Sequence, residues 1–180
     1  ANRIEQRLRN DTGSSIKAVC CVHHETSCGI TSDIRAVREA IDSVGHPALL
    51  LVDSISGLAS VDYEHDLWGA DVTVSGSQKG LMMPPGLGFN ALSDRAIETS
   101  KKGGSKRSYW DWQDMLTANS SGYFPYTPAT TLFYGLKEAI AMLEEEGLDN
   151  VFSRHKRLAD SCRAAVEAWE LETICLNPRC

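Results

Sequence analysis

Gly69-Ala-Asp-Val-Thr-Val-Ser-Gly-Ser-Gln-Lys-Gly-Leu-Met-Met-Pro-Pro-Gly-Leu-Gly-Phe89 is the stretch on which the reading of the fold turns. Ala70 to Val74 is a short β-type run. It runs out into small polar residues, then one lysine, Lys79, then a segment rich in glycine and proline. A lysine so placed can sit at the end of a strand inside a cleft. Partial burial and neighbouring positive charge there depress an amine's pKa, so that it can attack a carbonyl. The competing reading is a solvated loop lysine.

The rest of the chain decides between the two. Ile16 to Val22 is an apolar, β-branched run that predicts a buried strand, and His23 to Gly29 a polar loop. Apolar residues at Ile34, Val37, Ala40 and Ile41 have helical spacing, with Asp33 as the N-cap. Pro47 to Val52 is continuously apolar, as in a strand covered on both faces. Leu87 to Ser93 reads as a further strand and Asp94 to Lys102 as a helix. Strand, polar loop, helix, strand is the rhythm of a parallel α/β sheet, in which ligands sit beyond the carboxyl ends of the strands. Glu25-Thr26, Asp53-Ser54 and Ser77-Gln78-Lys79 all fall just after strands, so three polar clusters should converge on one rim.

Beyond Lys102, Gly103 to Ser121 is polar and aromatic, and Tyr123 to Pro128 is held out of helix by its two prolines. Helical spacing returns over Thr131 to Glu146, breaks at Gly147 and resumes to about Trp169. Residues 1–128 are expected to belong to a first, larger domain built on that sheet. Residues 129–180 are expected to be a linker helix and the start of a small α/β domain. Ala1 to Asn10 reads as a helix already in progress and Ile174 to Cys180 as a strand entry. The expectation is an internal piece of a longer protein.

The chain has 180 residues and a formal charge of −6, which argues against nucleic acid as a partner. No apolar run approaches the roughly 18 residues of a membrane span. Six scattered cysteines lack disulfide-scaffold spacing and fit a reducing compartment. Cys20, Cys21, His23, His24 and Cys28 are close in sequence. Adjacent strand residues point to opposite faces, and no second ligand pair follows, so no metal site is expected; buried strand thiols and a loop histidine pair fit better.

Pyridoxal phosphate (PLP) is the commonest carbonyl partner of a reactive lysine. It needs that lysine, a carboxylate for its ring nitrogen, a donor for its phenolic oxygen and donors for its phosphate. Asp53 fits the carboxylate role, although a turn or N-cap aspartate fits its context equally well. At this point the chain resembles the class V aminotransferases of PLP-dependent fold type I, and within them the serine–glyoxylate and alanine–glyoxylate group. The resemblance rests on Val22-His-His-Glu-Thr-Ser-Cys-Gly29, Leu51-Val-Asp-Ser-Ile-Ser-Gly57, Val74-Ser-Gly-Ser-Gln-Lys-Gly80, Arg107-Ser-Tyr-Trp-Asp-Trp-Gln113 and Pro125-Tyr-Thr-Pro-Ala-Thr130.

That resemblance implies an α/β fold with a mostly parallel sheet and a PLP cofactor. It implies amino transfer from serine or alanine to glyoxylate, giving glycine and a 2-oxo acid. By position it makes Lys79 the Schiff-base lysine and proton carrier, Asp53 the ring-nitrogen partner and Thr26 the donor to the phenolic oxygen. Gln78, with Ser77 as a second candidate, would contact the phosphate, and Ile55 would pack on the ring. Thr127 would reach the phosphate of a neighbouring subunit, so a homodimer with a shared active site is implied. The cytoplasm is the expected location, or the peroxisome in a eukaryote. His24, Cys28 and Phe124 depart from the family's usual Asn, Thr and Tyr. The family's glycine-rich phosphate loop is expected before Ala1, and its carboxylate-binding arginine after Cys180. A cysteine desulfurase is one alternative, weakened because Gln78 stands where those enzymes usually carry His. A truncated, non-catalytic chain is the other.

Overall fold

A computed structural model describes residues 1–175. Helix α1 (Asn2–Arg9) leads to strand β1 (Ala18–Val22), then to a small hairpin of β2 (His24–Glu25) and β3 (Ile30–Thr31). Helix α2 (Ile34–Asp42) is followed by β4 (Leu49–Asp53), β5 (Val72–Gly76) and β6 (Gly88–Leu92). Then come α3 (Asp94–Lys102), a 3-10 turn at Ser108–Trp110, α4 (Trp112–Asn119), α5 (Thr130–Glu146) and α6 (Leu148–Ala168). The main sheet has the order β1-β4-β5-β6. Its β1–β4 and β4–β5 pairs are parallel and β6 closes it as an antiparallel edge. This is the mostly parallel α/β sheet that the sequence predicts.

Local chemistry sets the elements. The Asp33 carboxylate accepts the Ala36 N–H at 2.9 Å and starts α2, and the Ser93 hydroxyl does the same for α3 through Ala96 N–H at 3.1 Å. The buried stripe of α2 is Ile34, Val37, Ala40 and Ile41. It packs with Leu8 of α1, Leu50 and Val52 of β4, and Ala70. Burying a Leu or Ile in such a cluster is worth about 1.5–3 kcal/mol. A second cluster joins Ala59 and Leu81 to Leu143 of α5 and Val151 of α6. Gly147, at φ +81°, breaks the helical run into α5 and α6.

Three expectations need correction. The apolar run of β4 is covered on one face only: Leu50 and Val52 are buried, whereas Leu49 and Leu51 are half-buried. Cys20 is exposed, because it lies on the same less covered face as Leu51, its partner in register. Helix α4 lies inside a stretch read as irregular. Its start is a local cap, the Asp111 carboxylate accepting Gln113 N–H at 2.9 Å, and it buries no residue fully, so it carries no apolar stripe to read. The strand entry expected at Ile174 to Cys180 falls largely on residues 176–180, outside the described residues.

One buried charge cluster pins the layers. Asp71, ahead of β5, accepts Leu50 N–H at 2.8 Å, Ser93 Oγ at 3.0 Å and Arg95 Nε and Nη2 at 2.9 and 2.6 Å. Arg38 of α2 stands at 3.5 Å. Burial pushes this carboxyl up, but the Arg95 bonds, the Leu50 amide and Ser93 together outweigh it and hold the pKa below its ordinary value. The cluster lies at the opposite end of the strands from the rim described next, so it fixes strand register without touching that rim.

Candidate active site

Parallel pairing brings three strand ends side by side. Val22 pairs with Asp53, and Asp53 with Val74. At roughly 4.8 Å per strand, these three residues span about 10 Å. The chain leaving β1 carries Thr26, the chain leaving β4 carries Asp53 and Ile55, and the chain leaving β5 carries Gln78 and Lys79. The convergence expected from the sequence is therefore present.

Each group is held by identifiable bonds. The Asp53 Oδ1 accepts Ile55 N–H at 2.9 Å, and the Asp53 carbonyl accepts His23 N–H at 2.8 Å. Asp53 thus does the turn work that its sequence context suggested, while its Oδ2 has no bond among the described residues. Ser54, fully buried, ties this turn to β5 by donating its N–H to Val74 O at 2.9 Å. Thr26 sits at the exposed tip of the β2–β3 hairpin, its Oγ1 2.6 Å from Ser56 Oγ. The Glu25 carboxylate closes that tip by accepting Ser27 N–H and Oγ at 2.9 and 2.8 Å, bonds that also lower its pKa.

Lys79 and Gln78 are exposed on the turn after β5. That turn closes by Met82 N–H to Lys79 O at 2.8 Å and Met83 N–H to Ser77 O at 3.2 Å. Gly80 lies directly under the chain at 58–60: a Cβ there would meet Leu58 O at 2.1 Å. Gln78 folds back over Gly76, where a Cβ would fall 2.7 Å from Gln78 Oε1. Ser77 is different. It is wholly buried, its hydroxyl donates to Pro84 O at 2.7 Å and accepts Leu87 N–H at 3.2 Å, and its own N–H donates to Leu87 O. Its donors are spent on the loop, so the phosphate role considered for Ser77 is withdrawn. Thr127 is exposed just ahead of α5, and no hydrogen bond joins it to this rim among the described residues.

The sequence reading missed His23. A loop histidine by its sequence context, it is buried, with its ring centroid 4.9 Å from Tyr63 and 5.6 Å from Trp68. Burial, helped by the nearby His24 and opposed by Asp62, lowers its pKa from 6.5 to about 4. Gly57 makes the room: a Cβ there would lie 2.6 Å from His23 Nδ1. The signal available in the sequence was its place directly after β1, facing Asp53. A cleft of about 720 Å³ runs from His23, Ser56 and Trp68 to α6. It includes neither Asp53 nor Lys79, so the strand-end geometry and not this cleft marks the candidate site.

A lysine, a carboxylate and a hydroxyl on adjacent carboxyl ends of parallel strands are of the kinds that PLP requires for its aldehyde, ring nitrogen and phenolic oxygen. The α/β sheet around them has the architecture of PLP-dependent fold type I. The family model described as aminotransferase class-V matches residues 2–179, and the chain belongs to that family. The chain is 48% identical to a serine–glyoxylate aminotransferase of Methylorubrum extorquens, over 98% of this chain and 45% of that protein. It is 44% identical to an L-aspartate–glyoxylate aminotransferase of Paracoccus denitrificans, over 99% of this chain and 45% of that protein. Its fold matches the crystal structure of a pyridoxamine–pyruvate aminotransferase from Mesorhizobium loti with a TM-score of 0.90 at 28% identity. That match covers 99% of this chain and 45% of the other. The chain spans under half the length of these relatives.

Proposed function

We propose that the protein transfers an amino group from an amino acid, serine or alanine, to glyoxylate. The observation that carries this is Lys79 on the turn after β5, beside an Asp53 whose strand pairs in register with β5. The names of the relatives support glyoxylate as acceptor, although those relatives differ among themselves in donor. Bound PLP supplies an aldehyde carbon and an electron sink. Lys79 would hold that carbon through its amine and would carry the proton taken from and returned to the substrate Cα. Asp53 would hold the ring nitrogen and favour its protonated form. Thr26 would donate to the phenolic oxygen, the Gln78 amide would donate to the phosphate, and Ile55 would pack on the ring. Amino donor and acceptor then enter in turn.

Residues 1–128 would form the C-terminal part of the large domain, with 129–180 leading into the small one. Four thiols, Cys20, Cys21, Cys28 and Cys162, fit a reducing cytoplasm. An exposed aromatic face supports a homodimer. Tyr109 meets Tyr126 at a tilt with ring centroids 4.9 Å apart and Phe124 stacks on Phe133 at 5.3 Å, while Trp110, Tyr134 and Tyr123 are 80%, 79% and 72% exposed. A surface patch of that kind marks an association site. Thr127 lies within it, where it could serve the partner's phosphate. Trp110→Glu should convert dimer to monomer in sedimentation; an unchanged dimer would remove this face from the interface.

The test of the function is borohydride reduction of the PLP-treated protein, mass spectrometry of the peptide holding Lys79, and a serine-plus-glyoxylate assay. A pyridoxyl adduct on Lys79, and loss of both adduct and glycine formation in Lys79→Ala, are expected. Retained turnover in Lys79→Ala would overturn the proposal.

A further inference from the structure

The Thr26 side chain on the rim is held by a side chain of a different loop. The bonds that close the hairpin tip run through the Glu25 carboxylate and the Gly29 N–H, and none reaches the Thr26 hydroxyl. Among the described residues its only side-chain partner is Ser56 Oγ at 2.6 Å, thirty positions along the chain. Ser56 itself has little freedom. It follows Ile55, whose N–H is fixed on Asp53, and precedes Gly57 and Leu58, whose N–H groups donate to Ser54 O at 3.1 and 2.8 Å.

Two hydroxyls sharing one hydrogen bond use one proton and leave the other free. If Thr26 donates to Ser56, Thr26 has nothing left to offer a ligand. If Ser56 donates to Thr26, the Thr26 proton points onward. An anionic oxygen beside Thr26 accepts only the second order, and a donor chain of that kind strengthens its terminal bond.

We propose that Ser56 is a positioning residue that donates to Thr26 and so turns the Thr26 proton toward the phenolic oxygen of the cofactor. This rests on the function proposed above and deepens it. The hydrogen bond favours the more negative, deprotonated form of the bound cofactor. Losing it raises the pH at which the cofactor's visible absorption titrates.

The experiment is a spectral pH titration of the PLP-loaded, full-length protein with Ser56→Ala, Ser56→Thr, Ser56→Cys and Thr26→Val. Ser56→Ala should titrate about half a pH unit above the parent protein, as expected for weakening and not abolishing one hydrogen bond. Thr26→Val should shift further in the same direction. Ser56→Thr should restore the parent value, and Ser56→Cys, a weaker donor, should fall between. A change that only loosened the loop would not restore with Thr. If Thr26→Val shifts but neither Ser56→Ala nor Ser56→Cys does, the role of Ser56 is wrong and the site stands. If Thr26→Val does not shift while Lys79 is still labelled, the placement of Thr26 is wrong and the inference falls with it. Should Ser56→Ala fail to fold, Ser56→Cys decides alone, and a parent-like titration overturns the role.

Discussion

Gly80→Ala tests whether the reactive lysine is aimed by packing. A Cβ built on Gly80 lies 2.1 Å from Leu58 O, 2.7 Å from Ser60 Oγ and 2.9 Å from Ala59 C. Tight C···O contacts come no closer than about 3.3 Å, so the turn must separate from the 58–60 segment by roughly 1 Å. The obstacle is backbone and has little freedom to move. Ser60 and Val61 N–H both donate to Gly57 O at 2.9 Å, and Ala59 already sits at φ +59°. The movement therefore falls on the lysine turn. Overpacking of this kind costs about 1–3 kcal/mol or more, and a displacement near 1 Å at the reacting amine costs about 10²-fold in rate. The assay pairs urea denaturation with the rate of Lys79 labelling by PLP and borohydride. Gly104→Ala is the control, since nothing lies within 4 Å of its built Cβ. A Gly80→Ala protein within about 0.5 kcal/mol of the parent, labelled at the parent rate, would refute the reasoning.

Asp53→Asn should leave the turn intact, because an amide oxygen still accepts Ile55 N–H, yet slow transamination by about 10²-fold or more through loss of the anion; a near-parent rate would misplace the ring-nitrogen partner. Asp71→Ala strands the buried Leu50 N–H and leaves Arg95, 45% exposed, with only its bond to Ala48 O at 3.0 Å, and should cost about 1–3 kcal/mol in denaturation without changing the labelled residue. The Asp71 carboxylate has a folded pKa held below 3.8, so its stabilisation is present above that value and is lost as pH falls through the lower folded one. His23 acts in another window. Its folded pKa is lowered from 6.5 to about 4, so the unfolded chain binds more protons between those values, and stability falls as pH drops through them. At about 1.36 kcal/mol per pH unit this withdraws roughly 3 kcal/mol by pH 4. The loss between pH 7 and 5 should shrink in His23→Gln, measured by denaturant midpoints, and an identical loss in both proteins would sink the assignment.

Much of the site was legible because strand ends in a parallel sheet announce themselves locally. The apolar runs ending at Val22, Val52 and Val74 each give way to polar residues, and parallel order then forces Thr26, Asp53 and Lys79 onto one rim. The helices α2, α5 and α6 were legible from 3.6-residue spacing and from Asp33 and Gly147. Helix α4 was not, because its eight residues bury none of themselves fully and depend on one capping carboxylate. Ser77 shows the limit of pattern for a single side chain. Its neighbours match a phosphate-binding turn, but whether its hydroxyl faces a ligand depends on Pro84 and Leu87, which return to it only after the loop closes.

The sequence by itself determined the α/β class, the family and the order in which the reactive residues reach the rim, because these follow from hydrophobic periodicity and from short local motifs. Only the tertiary structure decided which donors are left unspent. The burial of His23 against Tyr63 and Trp68, the clamping of Asp71 by Arg95, the wedging of Gly80 beneath Leu58 and the pairing of Thr26 with Ser56 all join residues far apart in the chain. A hydrogen bond or steric contact of a few ångströms between such residues leaves no periodicity for the sequence to display.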